Sequence, residues 1–166
     1  MDSGMRPTEI LKKEHQDVLQ KLDAMEEVID HLDQKEKISA KLRDLTSFFN
    51  TDFWVHFAKE EEALFPEIER FIPRDAGPLG VMLAEHDDLR KTNTEVQKAV
   101  ASYLNHADSD ETRKTIGKFG THFIGVLRDH IYKEDNILFH MADMHLDGTQ
   151  DEKVLSLFST IEKGGK

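Results

Sequence analysis

The sequence predicts an all-α protein, an up-down-up-down four-helix bundle closed by a short C-terminal helix. Long stretches place apolar residues at three- and four-residue spacing, and short polar or Pro/Gly links between them make neighbouring helices antiparallel. No stretch alternates apolar and polar residues with the period of a strand. At 166 residues the chain has the usual size of one domain and can bury a real core. A single domain over residues 1–166 is expected, with the bundle at about 8–144 and the last helix at about 150–161.

The first helix starts near Pro7 and Thr8 and carries Leu11, His15, Val18, Leu22, Met25, Ile29 and Leu32 on one stripe. After the polar turn Asp33-Gln34-Lys35, a second helix is expected from about Glu36 to Ile72. It turns Leu42, Leu45, Phe49, Phe53, His56, Glu60, Ala63 and Leu64 inward. Pro66 removes a backbone hydrogen bond and should kink or end that helix one turn after Glu62. Pro73-Arg74-Asp75-Ala76-Gly77-Pro78 is the strongest breaker in the chain.

The third helix follows, with Leu79, Met82, Leu83, His86, Leu89, Asn93, Val96, Val100 and Leu104 on one side. A polar link from Asn105 to Asp110 precedes the fourth helix, from about Glu111 to Met144. Ile116, Phe119, Phe123, Val126, His130, Glu134, Ile137 and Met141 form its inner face. Gly117, Gly120 and Gly125 weaken the first half of this helix, which either admits a close neighbour or leaves an access path. Gln150 to Ile161 reads as a packing helix, and Lys163-Gly164-Gly165-Lys166 as a frayed end.

A net charge of -11 argues against nucleic acid and anionic membranes as partners, because both need a positive footprint. No run is long and apolar enough to span a bilayer, and Met1-Asp2-Ser3-Gly4-Met5-Arg6 lacks the hydrophobic segment of a signal peptide, so a cytoplasmic protein is expected. With no cysteine, the chain has no disulfide, thiolate metal site, iron–sulfur ligand or cysteine nucleophile. Any metal must be held by nitrogen and oxygen.

The chain writes one motif twice. His56-Phe57-Ala58-Lys59-Glu60-Glu61-Glu62-Ala63-Leu64-Phe65 returns as His130-Ile131-Tyr132-Lys133-Glu134-Asp135-Asn136-Ile137-Leu138-Phe139, with five of the ten positions (His, Lys, Glu, Leu, Phe) identical. Glu14-His15-Gln16-Asp17 precedes the first copy and Glu85-His86-Asp87-Asp88 the second. On a helix, residues four apart are about 6 Å apart along the axis and rotated by about 40°, so His56 and Glu60 point the same way, as do His130 and Glu134. If the two halves pack face to face, four imidazoles and two carboxylates converge. A carboxylate between imidazoles of different helices can then bridge two metal ions.

A lone histidine on an apolar stripe is more often a hydrogen-bonded core residue than a ligand. Four in matching positions, with two carboxylates that are costly to bury unpaired, favour a dinuclear metal site over a structural polar layer. No HExxH of a zinc protease and no ExxH of the ferritin-like carboxylate bundles is present. Imidazole and bridging carboxylate suit iron or manganese without excluding zinc.

This layout resembles the hemerythrin-like, or HHE cation-binding, family from about Thr8 to Met144. The resemblance implies two iron ions in a non-heme centre, oxo- or hydroxo-bridged when oxidised. His15 and His56 would bind one iron and His86 and His130 the other, with Glu60 and Glu134 bridging. Two positions depart from the oxygen-carrying members of the family. Their fifth histidine, one turn after the helix-three histidine, is Arg90 here, which opens a coordination position or leaves it to water or a carboxylate such as Glu61. Their helix-four carboxylate comes five residues after the histidine, where Asp135 stands, but the repeat favours Glu134.

The function implied is binding or reduction of dioxygen, hydrogen peroxide or nitric oxide. Alternatives are an iron- or redox-responsive sensor acting on a separate protein partner, or iron storage or delivery without turnover. A metal-free helical interaction protein is the reading without a site. His122 is rotated from His130 by about 80°, which suits a supporting or channel residue better than a ligand. His31, His106, His140 and His145 sit near helix ends or links and are read as solvated. Trp54 and Tyr132 should point away from the metal face and serve packing.

Overall fold

A computed structural model of the protein describes residues 5–75, 77–105 and 108–164. His106 and Ala107 of the third link, Ala76 of the breaker, Met1 to Gly4 and the terminal Gly165 and Lys166 lie outside the described residues. Among the described residues the regular structure is helical throughout, and no helix is long and apolar enough to cross a membrane.

The first rod is α1 (Pro7–Ile29), which opens with proline at its first position, where the missing N–H costs nothing. The Arg6 backbone N–H donates to Glu9 Oε1 at 2.9 Å, and the Arg6 guanidinium reaches Asp151, tying the helix start to the first turn of the last helix. The second rod comprises α2 (Lys35–Phe48), α3 (Asp52–Lys59), a π-helical turn (Glu60–Leu64) and α4 (Phe65–Ile68). The third is α5 (Gly77–Asn105). The fourth joins α6 (Asp110–Lys133), a second π-helical turn (Glu134–Leu138) and α7 (Phe139–His145), and α8 (Gly148–Gly164) closes the bundle.

The single helix expected over residues 36–72 is broken between Phe48 and Asp52. Local side chains satisfy the carbonyls freed there: Thr51 Oγ1 donates to Ser47 O at 2.8 Å and Trp54 Nε1 to Phe49 O at 2.9 Å. The rod passes through Pro66, which sits in the first turn of α4 where its missing N–H is tolerated, and the α-helix ends at Ile68.

The π-helical turns shift the inward face by one residue. Ile137, expected inward, is 46% exposed, while Leu138, Phe139 and Ala142 are buried in its place. Smaller departures occur on other stripes, where Val28 rather than Ile29 and Tyr103 rather than Leu104 reach the core. Tyr103 donates its hydroxyl proton to Leu32 O at 2.6 Å, which satisfies its polar end. Of the three helix-weakening glycines, only Gly120 marks a close approach. A Cβ there would lie 2.6 Å from Ile29 Cδ1, whereas Gly117 and Gly125 face open space.

Two apolar clusters fill the bundle. One gathers Leu22, Phe49, Phe53, Phe57, Val100 and Phe123 towards the α1–α2 link; the other gathers Leu11, Leu64, Phe65, Phe139, Val154 and Phe158 beneath α8. A buried layer of histidine and glutamate lies between them.

Candidate metal centre

Each of the six predicted ligands occupies that layer. His15 is on α1, His56 on α3, His86 on α5 and His130 on α6, while Glu60 and Glu134 each open a π-helical turn. All six are buried, Glu60, His86, His130 and Glu134 completely. In each turn the amide after the motif leucine reaches back to the glutamate carbonyl, Phe65 N to Glu60 O and Phe139 N to Glu134 O. Such single π-turns within α-helices are frequent at functional sites, and here the same device sits at the same residue of both motif copies.

The imidazoles form two pairs. His15 Nε2 and His56 Nε2 stand 3.0 Å apart, and His86 Nε2 and His130 Nε2 3.1 Å apart. Each carboxylate spans both pairs. Glu60 presents Oε2 to His56 Nε2 at 3.1 Å and Oε1 to His86 Nε2 at 3.0 Å. Glu134 presents Oε1 to His15 Nε2 at 3.1 Å and Oε2 to His130 Nε2 at 3.1 Å. Two overlapping donor groups result, His15, His56, Glu60, Glu134 and Glu60, His86, His130, Glu134, with the donor atoms of each within 4.8 Å of one another.

Despite these distances, Glu60 Oε1 and both carboxylate oxygens of Glu134 are buried with no aligned hydrogen-bond donor among the described residues. Of the four carboxylate oxygens only Glu60 Oε2 lies in hydrogen-bond geometry with an imidazole, His56 Nε2 at 3.1 Å, and the donors gather in two overlapping groups. Buried carboxylates left in that condition cost several kcal/mol unless a cation satisfies them.

A second ring of side chains holds the imidazoles from behind. His15 Nδ1 donates to Asp135 at 2.7 Å, His56 Nδ1 to Glu14 at 2.8 Å, His86 Nδ1 to Glu61 at 2.5 Å and His130 Nδ1 to Glu85 at 2.8 Å. Each bond sets the tautomer that directs Nε2 inward. Lys59 Nζ donates to Glu14 at 2.6 Å and Lys133 Nζ to Glu85, so the motif lysine clamps the glutamate that orients the motif histidine. The motif phenylalanines cross over: Phe65 stacks on His86 at 5.8 Å and Phe139 on His15 at 5.7 Å.

All five residues shared by the two copies thereby gain a place, with Leu64 and Leu138 in the core. Glu14, Glu85, Lys59 and Lys133 were not singled out from sequence, although the repeated Glu-His pairs and the shared lysine carried the signal.

The electrostatics suit a cation. Burial pulls the His56 imidazolium down, but Glu60, Glu14 and Glu134 raise it to about 10. Burial likewise opposes the His130 charge, and Glu134, Glu85 and Glu60 raise it to about 10. Burial pushes the Glu134 carboxyl up, yet His130 and His15 hold it well below its usual range.

Asp135 and Glu61 both lie behind imidazoles and not between the pairs. His122 makes no hydrogen bond to a candidate ligand among the described residues; it is half-exposed and sits 3.1 Å from Asp88 on the surface. Tyr132 is 64% exposed, and Trp54 packs edge-on against Phe53 and Phe57, both away from the Nε2 face as expected. A cavity of about 340 Å³, lined by Glu14, Asp17, Asp52, Phe53, His56 and Lys59 among others, reaches the layer at His56.

Fold and donor set together define a helical-bundle protein of the cation-binding class. The chain belongs to the Hemerythrin HHE cation binding domain family, which it matches over residues 6–142. It is similar to proteins named iron-sulfur cluster repair protein YtfE. That of Musicola paradisiaca (strain Ech703) is 32% identical over 130 residues, 77% of this chain and 59% of the relative. That of Enterobacter sp. (strain 638) is 29% identical over 109 residues, 65% and 50% of the two chains, and that of Yersinia pestis (strain Pestoides F) 33% over 107 residues, 64% and 45%. The chain spans about half the length of the curated relatives it matches.

Proposed function

We propose that this protein is a cytoplasmic non-heme di-iron protein that binds or reduces dioxygen, hydrogen peroxide or nitric oxide. His15 and His56 would hold one ion, His86 and His130 the other, with Glu60 and Glu134 placed to serve both. The observation that carries this reading is that each of the two buried glutamates divides its oxygens between the two histidine pairs.

Imidazole nitrogen and carboxylate oxygen donors suit iron or manganese in variable oxidation states. Two nitrogen and two oxygen donors per ion leave room for a small ligand. When bound, a ferrous pair supplies two electrons to such a ligand. The chain's own part is to orient the four imidazoles through their Nδ1 bonds and to keep bulk water out with the rings of Phe57, Phe65 and Phe139, all buried.

Elemental analysis with absorption spectra before and after reduction tests the reading. Two irons per chain and near-ultraviolet bands that bleach on reduction are expected, followed by spectral change on adding oxygen, peroxide or nitric oxide. Stoichiometric zinc with a featureless spectrum would overturn it.

The names of the relatives favour a second reading on the same site, delivery of iron for the repair of iron–sulfur clusters. Under it, the reduced protein releases iron to a chelator and restores activity to an enzyme whose cluster has been damaged. Retention of all iron on reduction would refute delivery while leaving the di-iron centre intact.

A further inference from the structure

The two halves of the centre correspond closely, but the surroundings of His86 and His15 differ: Phe57 lies on His86 where the other half has Ile131, and the carboxylates behind the two rings have different partners. Behind His86, Glu61 Oε2 accepts the Nδ1 proton, and Glu61 Oε1 accepts a bond from Arg90 at 2.7 Å. Behind His15, the corresponding carboxylate is Asp135, and among the described residues no cationic side chain pairs with its outer oxygen. Arg90 lies four residues after His86; the residue four after His15 is Leu19.

The guanidinium is held in place from several sides. It lies 5.9 Å from the centre of the Phe57 ring and 6.0 Å from that of Trp54, and its other nitrogen reaches Asp87 at 3.5 Å. Phe57 in turn lies flat on His86, with ring centres 3.7 Å apart and planes 8° from parallel. The lysines contribute no such difference, because Lys59 backs Glu14 as Lys133 backs Glu85.

Resting on the di-iron reading above, we infer that Arg90 is a positioning residue that makes the two irons unequal: acting through Glu61 on His86, it keeps the His86/His130 iron ferrous while the His15/His56 iron oxidises first. A carboxylate hydrogen-bonded to a guanidinium withdraws less proton density from the imidazole it faces, so His86 is a weaker donor to a ferric ion than His15, whose Asp135 stays uncompensated. Asp87 offsets the guanidinium's charge, so the effect runs through the Glu61 hydrogen bond and not through a net positive field. A one-electron oxidant such as ferricyanide then takes one electron from the His15/His56 ferrous ion, becoming ferrocyanide, and leaves a mixed-valence pair.

The test is a mediated redox titration of the iron-loaded protein followed by electron paramagnetic resonance. Wild type is expected to oxidise in two one-electron steps with a mixed-valence signal between them. Arg90→Leu, which copies the residue of the other half, should lower the upper potential, whereas Arg90→Lys should largely keep it. Asp135→Asn should raise the lower potential instead, so both Arg90→Leu and Asp135→Asn narrow the mixed-valence window from opposite sides. Arg90 is partly exposed, and iron content of each variant serves as the folding control. Two irons per chain with the upper potential unmoved in Arg90→Leu overturns the inference alone. Fewer than two irons in wild type overturns the di-iron reading beneath it.

Discussion

The imidazole rings of the centre are held by what stands behind them as much as by what they face. Loss of an outer partner typically weakens metal binding about 10–100-fold. Glu14→Ala and Glu85→Ala should each fall in that range when measured by competition with a chromophoric chelator. His122→Ala, at a half-exposed surface pair, should keep its iron content and its stability within about 0.5 kcal/mol. Protons compete with the metal for the same nitrogens. His56 and His130 sit at about 10 in the fold against 6.5 for an ordinary imidazole. Their protonation therefore stabilises the metal-depleted protein fully below pH 6.5, and this contribution is lost as pH rises towards 10. Denaturant titrations of chelator-treated protein between those limits should show falling stability. The iron-loaded protein should lack that loss, and iron uptake at neutral pH should release protons.

At the scale of the helix, the two π-helical turns and Gly120 shape how the rods meet. Gly117 and Gly125 face open space, so alanine at either should stabilise the protein by up to about 1 kcal/mol in thermal denaturation. Leucine at Gly120 should instead cost about 1–3 kcal/mol, because its first carbon already meets Ile29. Hydrophobic spacing alone brought His130 and Glu134 to one face and failed just after them, at Ile137. The period assumed was that of an α-helix, and one added residue in the turn moves Leu138 and Phe139 inward. Both motif copies end in Leu-Phe, the pair that the π-turn brings to the core, but spacing cannot tell a π-turn from a continued helix.

For the molecule as a whole, the polar layer divides the core, and α8 covers one of the two apolar clusters. Phe158 is buried there and Lys59 joins Glu162 at 2.6 Å, which links the last helix to the clamp behind His56. Phe158→Ala should cost about 3–5 kcal/mol by denaturant unfolding. Removing the metal should lower the melting temperature of the same protein, since ions that bind only the fold stabilise it.

The sequence by itself determined the helical class and the family and singled out six candidate donors, because a motif written twice with four-residue spacing turns each histidine and its glutamate to one helix face. The repeat favoured Glu134 over Asp135, and only tertiary structure shows where each stands. Both lie on the same turn, and only the packing of α1 against that turn puts Glu134 between the histidine pairs and Asp135 behind His15. The same holds for Arg90, whose position in the chain marks only a missing histidine. Its partner Glu61 lies 29 residues away, and a hydrogen bond across two rods appears only when the rods are side by side.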